Sequence, residues 1–373
     1  MVGTACLAMF VPIASARAQY TFTKIAESAT DFFGVPCINA SGLVAFERTN
    51  GVSFTSGVYT GTGGPVTTIA GSATPGLSGI ITHPSINDAG VVAFKAYRPD
   101  GTGGIYKGSG GAITLIDSVP SIDALTDARL SINNSGMVAY HKWDAAGTTG
   151  GIYTGDGTGA ATPVAVAPGG TYSSLGTAGT LQMGNSGAVA FYAQLTGGGQ
   201  GVFSSSGAAF QNGADSSIVS FNDVGRAVFT TIVGPLQTLL TGPAGGPSAV
   251  YLDNSGPYAG FVSASINNLN HLAFVASLDV GVSGIYAGPN PVSDKVIQAG
   301  DALFGSTVTN ANLWSGGLSD NGDIAFSYGL LDGRQGIAVA HAVPAPGALA
   351  GLMGLGGLGL GRRRCEGVRR VRG

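Results

Sequence analysis

From residue 19 to residue 342 the chain alternates short apolar segments with turns rich in asparagine, aspartate and glycine. One representative stretch predicts strands at residues 84–86, 91–96, 104–107 and 112–117, with a turn at 87–90. Apolar residues in the second of these strands point to both faces, as expected for a strand that is covered on both sides. The pattern therefore predicts an all-β protein built from many short strands.

This pattern recurs seven times around the motif Asn-x-x-Gly-x-x-Ala-Phe, at spacings of 38 to 52 residues. The Asn side chain is expected to cap the turn, and the Gly is expected to adopt a positive φ. Asn270 takes the Gly place in the sixth copy, and asparagine is one of the residues that tolerate this conformation. The predicted turn residues are Asn39, Gly42, Asn87, Gly90, Asn133, Gly136, Gly187, Asn222, Gly225, Asn267, Asn270 and Gly322.

Four strands per repeat and seven repeats predict a seven-bladed β-propeller of four-stranded blades. The seventh copy contains only three predicted strands, the third at residues 336–341. The segment 20–26, ahead of the first motif, is similar to the fourth strand predicted at 66–70. We therefore expect the N-terminal strand to complete the last blade and close the ring, which leaves no open sheet edge.

The two ends of the chain have the composition of targeting segments. Residues 1–18 are predicted to be a signal peptide, because an apolar stretch precedes an A-x-A cleavage site that ends at Ala18. The propeller then covers residues 19–342. Residues 343–373 combine a Val-Pro-Ala-Pro sequence, a short apolar stretch at 347–361 and an arginine cluster. The alternatives are a buried N-terminal strand and an ordinary C-terminal membrane anchor.

The C-terminal order of features resembles the PEP-CTERM sorting signal, carried here by Pro344, Pro346, Arg362, Arg363 and Arg364. The repeat together with this end resembles the choice-of-anchor tandem-repeat proteins of bacterial surfaces. The resemblance implies processing by an exosortase-type enzyme and export to the cell surface or extracellular matrix. Because the apolar stretch is short for a membrane span of about 20 residues, we expect the C-terminal helix to attach the protein to the inner membrane only transiently. The sequence departs from the signal in having alanine where the central glutamate is usual, and nine residues follow the arginines.

Charge and cysteine content narrow the functional classes. Between residues 19 and 342 there are 10 Lys and Arg against 19 Asp and Glu, which gives 10 − 19 = −9. An acidic body argues against nucleic acid as a partner, since phosphate binding needs a basic face. Cys37 is the only cysteine in this region, so no intramolecular disulfide is possible there. We predict a monomer without a cofactor.

The sequence contains no HExxH and no GxSxG motif. The least repeat-like strand is predicted at residues 140–144 and contains the candidate ligand-binding residues His141, Trp143 and Asp144. An aromatic ring beside hydrogen-bonding groups suits a flat sugar face. The alternative is that Trp143 only fills space between blades. Asp117, Asp123 and Asp127 are weak candidates for a calcium site, the alternative being a solvated acidic connection.

The sequence therefore favours a non-catalytic binding or structural propeller at the cell surface or in the matrix, with an extracellular polysaccharide or a surface protein as its partner. The alternative is a glycosidase- or lyase-like enzyme that acts on extracellular polysaccharide. Such an enzyme would need two carboxyl groups about 5 to 10 Å apart on one face of the ring.

Overall fold

The computed structural model describes residues 19–119, 130–144, 149–176, 181–212 and 219–343. The predicted signal peptide and the predicted sorting segment from residue 344 onward lie outside these ranges. Every regular element in the described ranges is a β-strand. None of the described residues forms a helix that is long and apolar enough to cross a membrane.

The strands form seven antiparallel sheets arranged as a seven-bladed β-propeller, as predicted. The closing strand is β1 (Gln19–Ser28). Blade 1 contains β2 (Phe32–Phe33), β3 (Cys37–Ile38), β4 (Val44–Thr49), β5 (Ser56–Gly61) and β6 (Thr67–Gly71). Blade 2 contains β7 (Gly79–Ile86), β8 (Val92–Tyr97), β9 (Gly103–Gly108) and β10 (Thr114–Val119). Blade 3 contains β11 (Leu130–Ile132), β12 (Val138–Trp143), β13 (Gly150–Gly155) and β14 (Thr162–Ala167).

The remaining blades follow the same plan. Blade 4 contains β15 (Tyr172–Leu175), β16 (Leu181–Met183), β17 (Val189–Leu195), β18 (Gln200–Ser204) and β19 (Ala209–Asn212). Blade 5 contains β20 (Val219–Phe221), β21 (Arg226–Val233), β22 (Leu236–Pro243) and β23 (Ala249–Asp253). Blade 6 contains β24 (Tyr258–Ile266), β25 (Leu272–Leu278), β26 (Ser283–Tyr286) and β27 (Lys295–Gln298). Blade 7 contains β28 (Ala302–Leu303), β29 (Ser306–Asn312), β30 (Ile324–Leu330) and β31 (Gln335–Val343).

The predicted closure of the ring is confirmed. Strand β1 pairs antiparallel with β31, from Gln19 opposite Val343 to Ser28 opposite Gln335, and so supplies the fourth strand of blade 7. The strand is longer than the predicted 20–26. In blades 1 and 4 the first strand is divided into two short pieces, which both pair with the second strand.

Because neighbouring strands are antiparallel, each blade has two distinct ends. We call the end that carries the motif turns and the connections between third and fourth strands the turn face. The opposite end carries the connections between second and third strands and is called the hairpin face. Since Gln19 begins β1 and Val343 ends β31, the described chain starts and stops at the turn face of blade 7.

The motif turns have the predicted backbone conformation. The Gly of the motif has φ between +76° and +85° in six of the seven blades. Asn270 adopts φ +63° in the same place in blade 6. This confirms that the turn needs a residue that tolerates the left-handed region.

Replacing Gly136 with valine is expected to reduce the free energy of unfolding by about 1–3 kcal/mol, because a β-branched residue is forced to a positive φ. Gly136→Asn is the matched control and should cost less, since Asn270 already occupies this place in blade 6. Denaturant unfolding of both variants measures the difference. Equal stability of wild type and Gly136→Val would show that the turn does not require this conformation.

The aromatic residue of the motif is buried between blades throughout the ring. These side chains, each at most 1% exposed, are Phe46, Phe94, Tyr140, Phe191, Phe229, Phe274 and Phe326. In blade 2 the ring of Phe94 stacks on Tyr106 of the third strand, with ring centroids 5.8 Å apart. A Cβ atom at Gly104 would lie 2.5 Å from the Tyr106 ring, so glycine is needed there to let the tyrosine lie across its own strand.

Candidate functional site

Residues from all seven blades line a cavity of about 150 Å³ on the axis of the ring. We call it the axial cavity. At the turn face it is bordered by the residue that follows the motif Asn in each blade. Its charged lining groups are the carboxylates of Asp88, Asp223 and Asp320, with no lysine or arginine among the described lining residues. The opening at the turn face is therefore electronegative and disfavours anionic ligands.

The motif Asn joins each turn to the next blade. In blade 6, Asn267 Oδ1 accepts hydrogen bonds from the backbone N–H groups of Leu269 (3.1 Å) and His271 (2.9 Å). Its Nδ2 donates to the backbone oxygen of Ser319 in blade 7 (3.0 Å). The same inter-blade bond from Nδ2 links Asn39 to Asn87, Asn87 to Asn133 and Asn222 to Asn267. The predicted cap is thus also a connection between blades.

The next residue of each turn forms a second ring of inter-blade bonds, which we call the carboxylate–amide belt. In each of six blades, the backbone N–H donates to the Oδ1 atom of the equivalent side chain in the following blade, at 2.5–2.9 Å. The belt consists of Ala40, Asp88, Asn134, Asn185, Asp223, Asn268 and Asp320. Each aspartate of the axial cavity therefore has a structural task that it shares with asparagines elsewhere in the ring.

Two carboxylates of the belt lie close together. Asn268 Nδ2 donates to Oδ2 of Asp223 at 2.7 Å and to Oδ2 of Asp320 at 2.9 Å. Since both oxygens contact the same nitrogen, their separation is less than twice the longer of these distances. The two carboxyl groups therefore lie within the upper limit of the spacing that the enzymatic alternative needs, and an amide occupies the space between them.

The belt is interrupted at Ala40. The backbone N–H of Asp320 would donate to a side chain at position 40, but alanine offers no acceptor, and no other described residue accepts from it. Blade 1 is instead joined to blade 7 by Asn321 Nδ2, which donates to the backbone oxygen of Ala40 at 2.8 Å. One inter-blade hydrogen bond found at the other blade junctions is thus missing here.

Replacing Ala40 with asparagine should complete the belt and raise the free energy of unfolding by about 0.5–1.5 kcal/mol, the usual net contribution of one hydrogen bond. Ala40→Leu, which adds volume but no acceptor, is the control and should give no gain. Chemical denaturation measures both. If asparagine stabilises the ring no more than leucine does, the belt bonds do not contribute to stability.

A third ring of inter-blade bonds was not anticipated from the sequence. Two residues before the motif Asn, a side-chain oxygen accepts from the backbone N–H of the next inner strand at 2.8–3.3 Å. The acceptors are Ser85, Ser131, Gln182, Ser220 and Ser265. The recurrence of serine at this position was a detectable signal, but its partner can be recognised only once the blades are placed in a ring.

Of the predicted ligand-binding residues, His141 is buried in the protein core, Trp143 is half-buried and Asp144 is exposed. His141 is 1% exposed, and neither of its ring nitrogens has a hydrogen-bond partner among the described residues. Burial, and then the charge of Lys95, lower the pKa of His141 to about 4. The Trp143 ring contacts His141 edge-on at 5.3 Å between centroids, whereas Asp144 is exposed. A ligand-binding role for these residues stays a prediction.

Asp117, the described member of the predicted calcium set, is engaged by neighbours in blade 3. The hydroxyl of Tyr140 donates to its Oδ2 at 2.6 Å, and Lys142 forms an ion pair with the same oxygen. Asp123 and Asp127 lie outside the described residues. Within the described ranges, no group of three or more His, Cys, Asp or Glu side chains is placed to hold a metal ion.

Glu47 of blade 1 is a buried carboxyl group, 5% exposed, in the strand position that follows the motif Phe. Burial raises its pKa to about 7, and a hydrogen bond of 3.3 Å from the Thr49 hydroxyl opposes the shift only partly. The group is therefore protonated in the folded protein at mildly acidic pH and becomes a buried charge above neutral pH.

Because the folded-state pKa of Glu47 is raised, the free energy of unfolding should fall as pH rises from about 4.5 through about 7. Glu47→Gln should remove this component, so that the variant exceeds wild type by about 2–3 kcal/mol at pH 8 and by little at pH 4.5. Denaturant unfolding across this range measures the difference between the two proteins at each pH. A difference independent of pH would contradict the buried titration.

These contacts define a seven-bladed β-propeller in which the repeated polar residues join neighbouring blades around an axial cavity. Residues 19–316 match the family of unknown function DUF7453, and the chain belongs to this family. No curated protein matches the sequence significantly.

Solved structures with a similar fold include prolyl oligopeptidase B from Galerina marginata bound to a 35mer substrate. Its TM-score is 0.58 at 10% identity, over 86% of this chain and 50% of that one. A prolyl endopeptidase matches with a TM-score of 0.55 at 12% identity, over 87% of this chain and 50% of that one. The chain thus spans about half the length of these peptidases, and the similarity shows the fold alone.

Proposed function

We propose that this protein is an exported propeller, attached to the cell surface or extracellular matrix, that binds a polysaccharide or another surface protein without catalysing a reaction. The observation that supports this proposal most is that the polar groups around the axial cavity are occupied in hydrogen bonds between blades. The asparagines, aspartates and serines that converge there are repeat residues that join blades. A rigid ring of this kind suits binding by residues that lie outside the repeat pattern.

The positions of the chain ends support the surface attachment. The segment with the resemblance to a sorting signal begins at Val343, which pairs with Gln19 at the turn face of blade 7. Attachment through this segment would place the turn face toward the membrane and the hairpin face toward the exterior. The apolar stretch 347–361 would extend only about 22 Å as a helix, short of a hydrocarbon core of about 30 Å. The membrane contact is therefore proposed to be transient and to end with cleavage near Pro344 and Pro346 by an exosortase-type enzyme.

Mass spectrometry of the surface fraction of the source cells tests this proposal. The mature protein should begin near Gln19 and end near Pro346. A variant with alanine at Arg362, Arg363 and Arg364 is the control and should fail to be processed at the C-terminus. Recovery of the wild-type tail through Arg364, still in the inner membrane, would reject processing and release.

A second candidate function is an enzyme that acts on extracellular polysaccharide. The observation in its favour is the proximity of Asp223 and Asp320 at the opening of the axial cavity. In this alternative, one carboxylate would act as the nucleophile and the other as the general acid and then the general base of a retaining glycoside cleavage, the mechanism that a short carboxyl separation favours. Replacing either aspartate with asparagine keeps a belt acceptor in place and would abolish such an activity.

A further inference from the structure

The hairpin face of blade 1 carries three apolar side chains that are exposed together. Phe32 is 53% exposed, Val52 79% and Phe54 74%. Phe32 lies beside the connection between β4 and β5, since a Cβ atom at Gly51 would be 3.5 Å from its ring. We call Phe32 and the connection 50–55 the blade 1 prong. The connection has six residues, as many as the equivalent connection of blade 3 and more than the two to five in the other blades.

Phe54 carries two unfavourable features at once. Its φ is +54°, a conformation that is rare for a bulky residue and typically costs about 1–3 kcal/mol. Its aromatic ring is also left largely in water, where it gains little from burial. A strained and exposed aromatic residue contributes nothing to the fold that a small polar residue would not, which points to a role in binding.

Hydrogen bonds within the prong fix its shape. Asn50 Oδ1 accepts from the backbone N–H groups of Val52 (3.0 Å) and Ser53 (2.8 Å) and from the Ser53 hydroxyl (3.1 Å). The backbone N–H of Phe54 donates to the backbone carbonyl oxygen of Asn50 at 2.9 Å. The Ser53 and Thr55 hydroxyls are 2.8 Å apart. The prong is thus held in one conformation before it meets a partner, which lowers the entropy lost on binding.

A buried carboxylate fastens the prong to the blade. Asp31 is 2% exposed and accepts from Arg48 Nε at 2.6 Å, Asn50 Nδ2 at 3.3 Å and the Gly51 N–H at 3.4 Å. Burial opposes ionisation of Asp31, but the hydrogen bonds and charge of Arg48 outweigh it, and the pKa is lowered. Gly51 lies so close to the Thr30 carbonyl that a Cβ atom would be 1.8 Å from its oxygen.

We propose that the blade 1 prong inserts into an apolar pocket of a protein partner at the cell surface. The side-chain polar groups at its base hydrogen-bond to one another, which leaves few to bind the hydroxyls of a saccharide. The axial cavity of a second copy is bordered at its opening by aspartate and asparagine side chains, so it does not offer the prong an apolar pocket. The chain's own tail joins the ring at the opposite face. The inference rests on the proposed function, because it requires the hairpin face to point away from the membrane.

The test places the photocrosslinking residue p-benzoylphenylalanine at position 54 of the full chain in the source cells. The matched control is position 269, where Leu269 is 61% exposed on the turn face. Irradiation should give an adduct with one protein at position 54 and none at position 269. That protein, identified and purified, should bind Phe54→Ser at least tenfold more weakly than wild type and bind Leu269→Ser as wild type does. Both variants should unfold at the wild-type midpoint.

An adduct with a second copy of the chain, an adduct with polysaccharide, the same adduct at both positions, or no protein adduct at position 54 would each overturn the proposal. Wild-type affinity of Phe54→Ser for the purified partner would overturn it as well. The mass-spectrometric test of export is independent of these results. A prong without a protein partner on a correctly processed protein would therefore leave the proposed surface attachment intact.

Discussion

A chain that starts after β1 is expected not to form the ring. Strand β1 supplies buried Ile25 and places Phe22 edge-on against Phe326, with ring centroids 6.0 Å apart. Glu27 also forms an ion pair with Arg334 and accepts from the Tyr328 hydroxyl, at 2.9 and 3.0 Å. Loss of β1 exposes the edge of β31 in blade 7 and uncovers the apolar side chains of blade 1 that pack against Ile25. It should remove more than about 5 kcal/mol, comparable to the stability of an entire domain.

Circular dichroism and gel filtration test this with chains that start at residue 19 and at residue 31. The first should unfold cooperatively like the full chain, because it retains β1. The second should be unfolded or aggregated. A cooperative transition at an unchanged midpoint in the shorter chain would show that the ring does not depend on closure by β1.

Replacing Asn267 with alanine should reduce the free energy of unfolding by about 2–4 kcal/mol, since a buried side chain that makes three hydrogen bonds is lost. Asn267→Asp separates its two tasks. The aspartate can still cap the turn, but it brings a second oxygen against the Ser319 carbonyl and cannot donate to blade 7. We expect this variant to be at least as unstable as Asn267→Ala.

Leu269→Ala, in the same turn but 61% exposed, is the control and should change stability by less than about 0.5 kcal/mol. Urea unfolding of the three variants measures these effects. Wild-type stability of Asn267→Asp would mean that only the cap matters and that the inter-blade bond contributes nothing.

The fold could be predicted because a repeat displays each structural requirement seven times. A single glycine such as Gly42 has many explanations, but glycine at the same place in six blades and Asn270 in the remaining one indicate a positive φ. The closing strand was predictable for a related reason. The seventh repeat lacked one strand, and the chain began with a segment that matched it.

The contacts between blades could not be predicted in the same way. Asp88 and Asn134 are residue types that are common in turns. The sequence around them does not indicate that each side chain accepts a hydrogen bond from the backbone of a neighbouring blade. The division of the first strand in blades 1 and 4 likewise has no sequence signal that we recognise. The blade 1 prong was missed because the sequence of its connection does not recur in the other blades. The positive φ of Phe54 also depends on the hydrogen bond from its backbone N–H to Asn50.

A binding protein and a polysaccharide-cleaving enzyme differ in what the carboxylates at the opening of the axial cavity do. The mature protein should be incubated with extracellular polysaccharide from the source cells, and the release of reducing ends and of unsaturated sugar products should be measured. We predict no release above that of a heat-denatured sample, and the same result for Asp223→Asn and Asp320→Asn. Release by the wild-type protein that either substitution abolishes would contradict the account and identify the ring as a polysaccharide-cleaving enzyme.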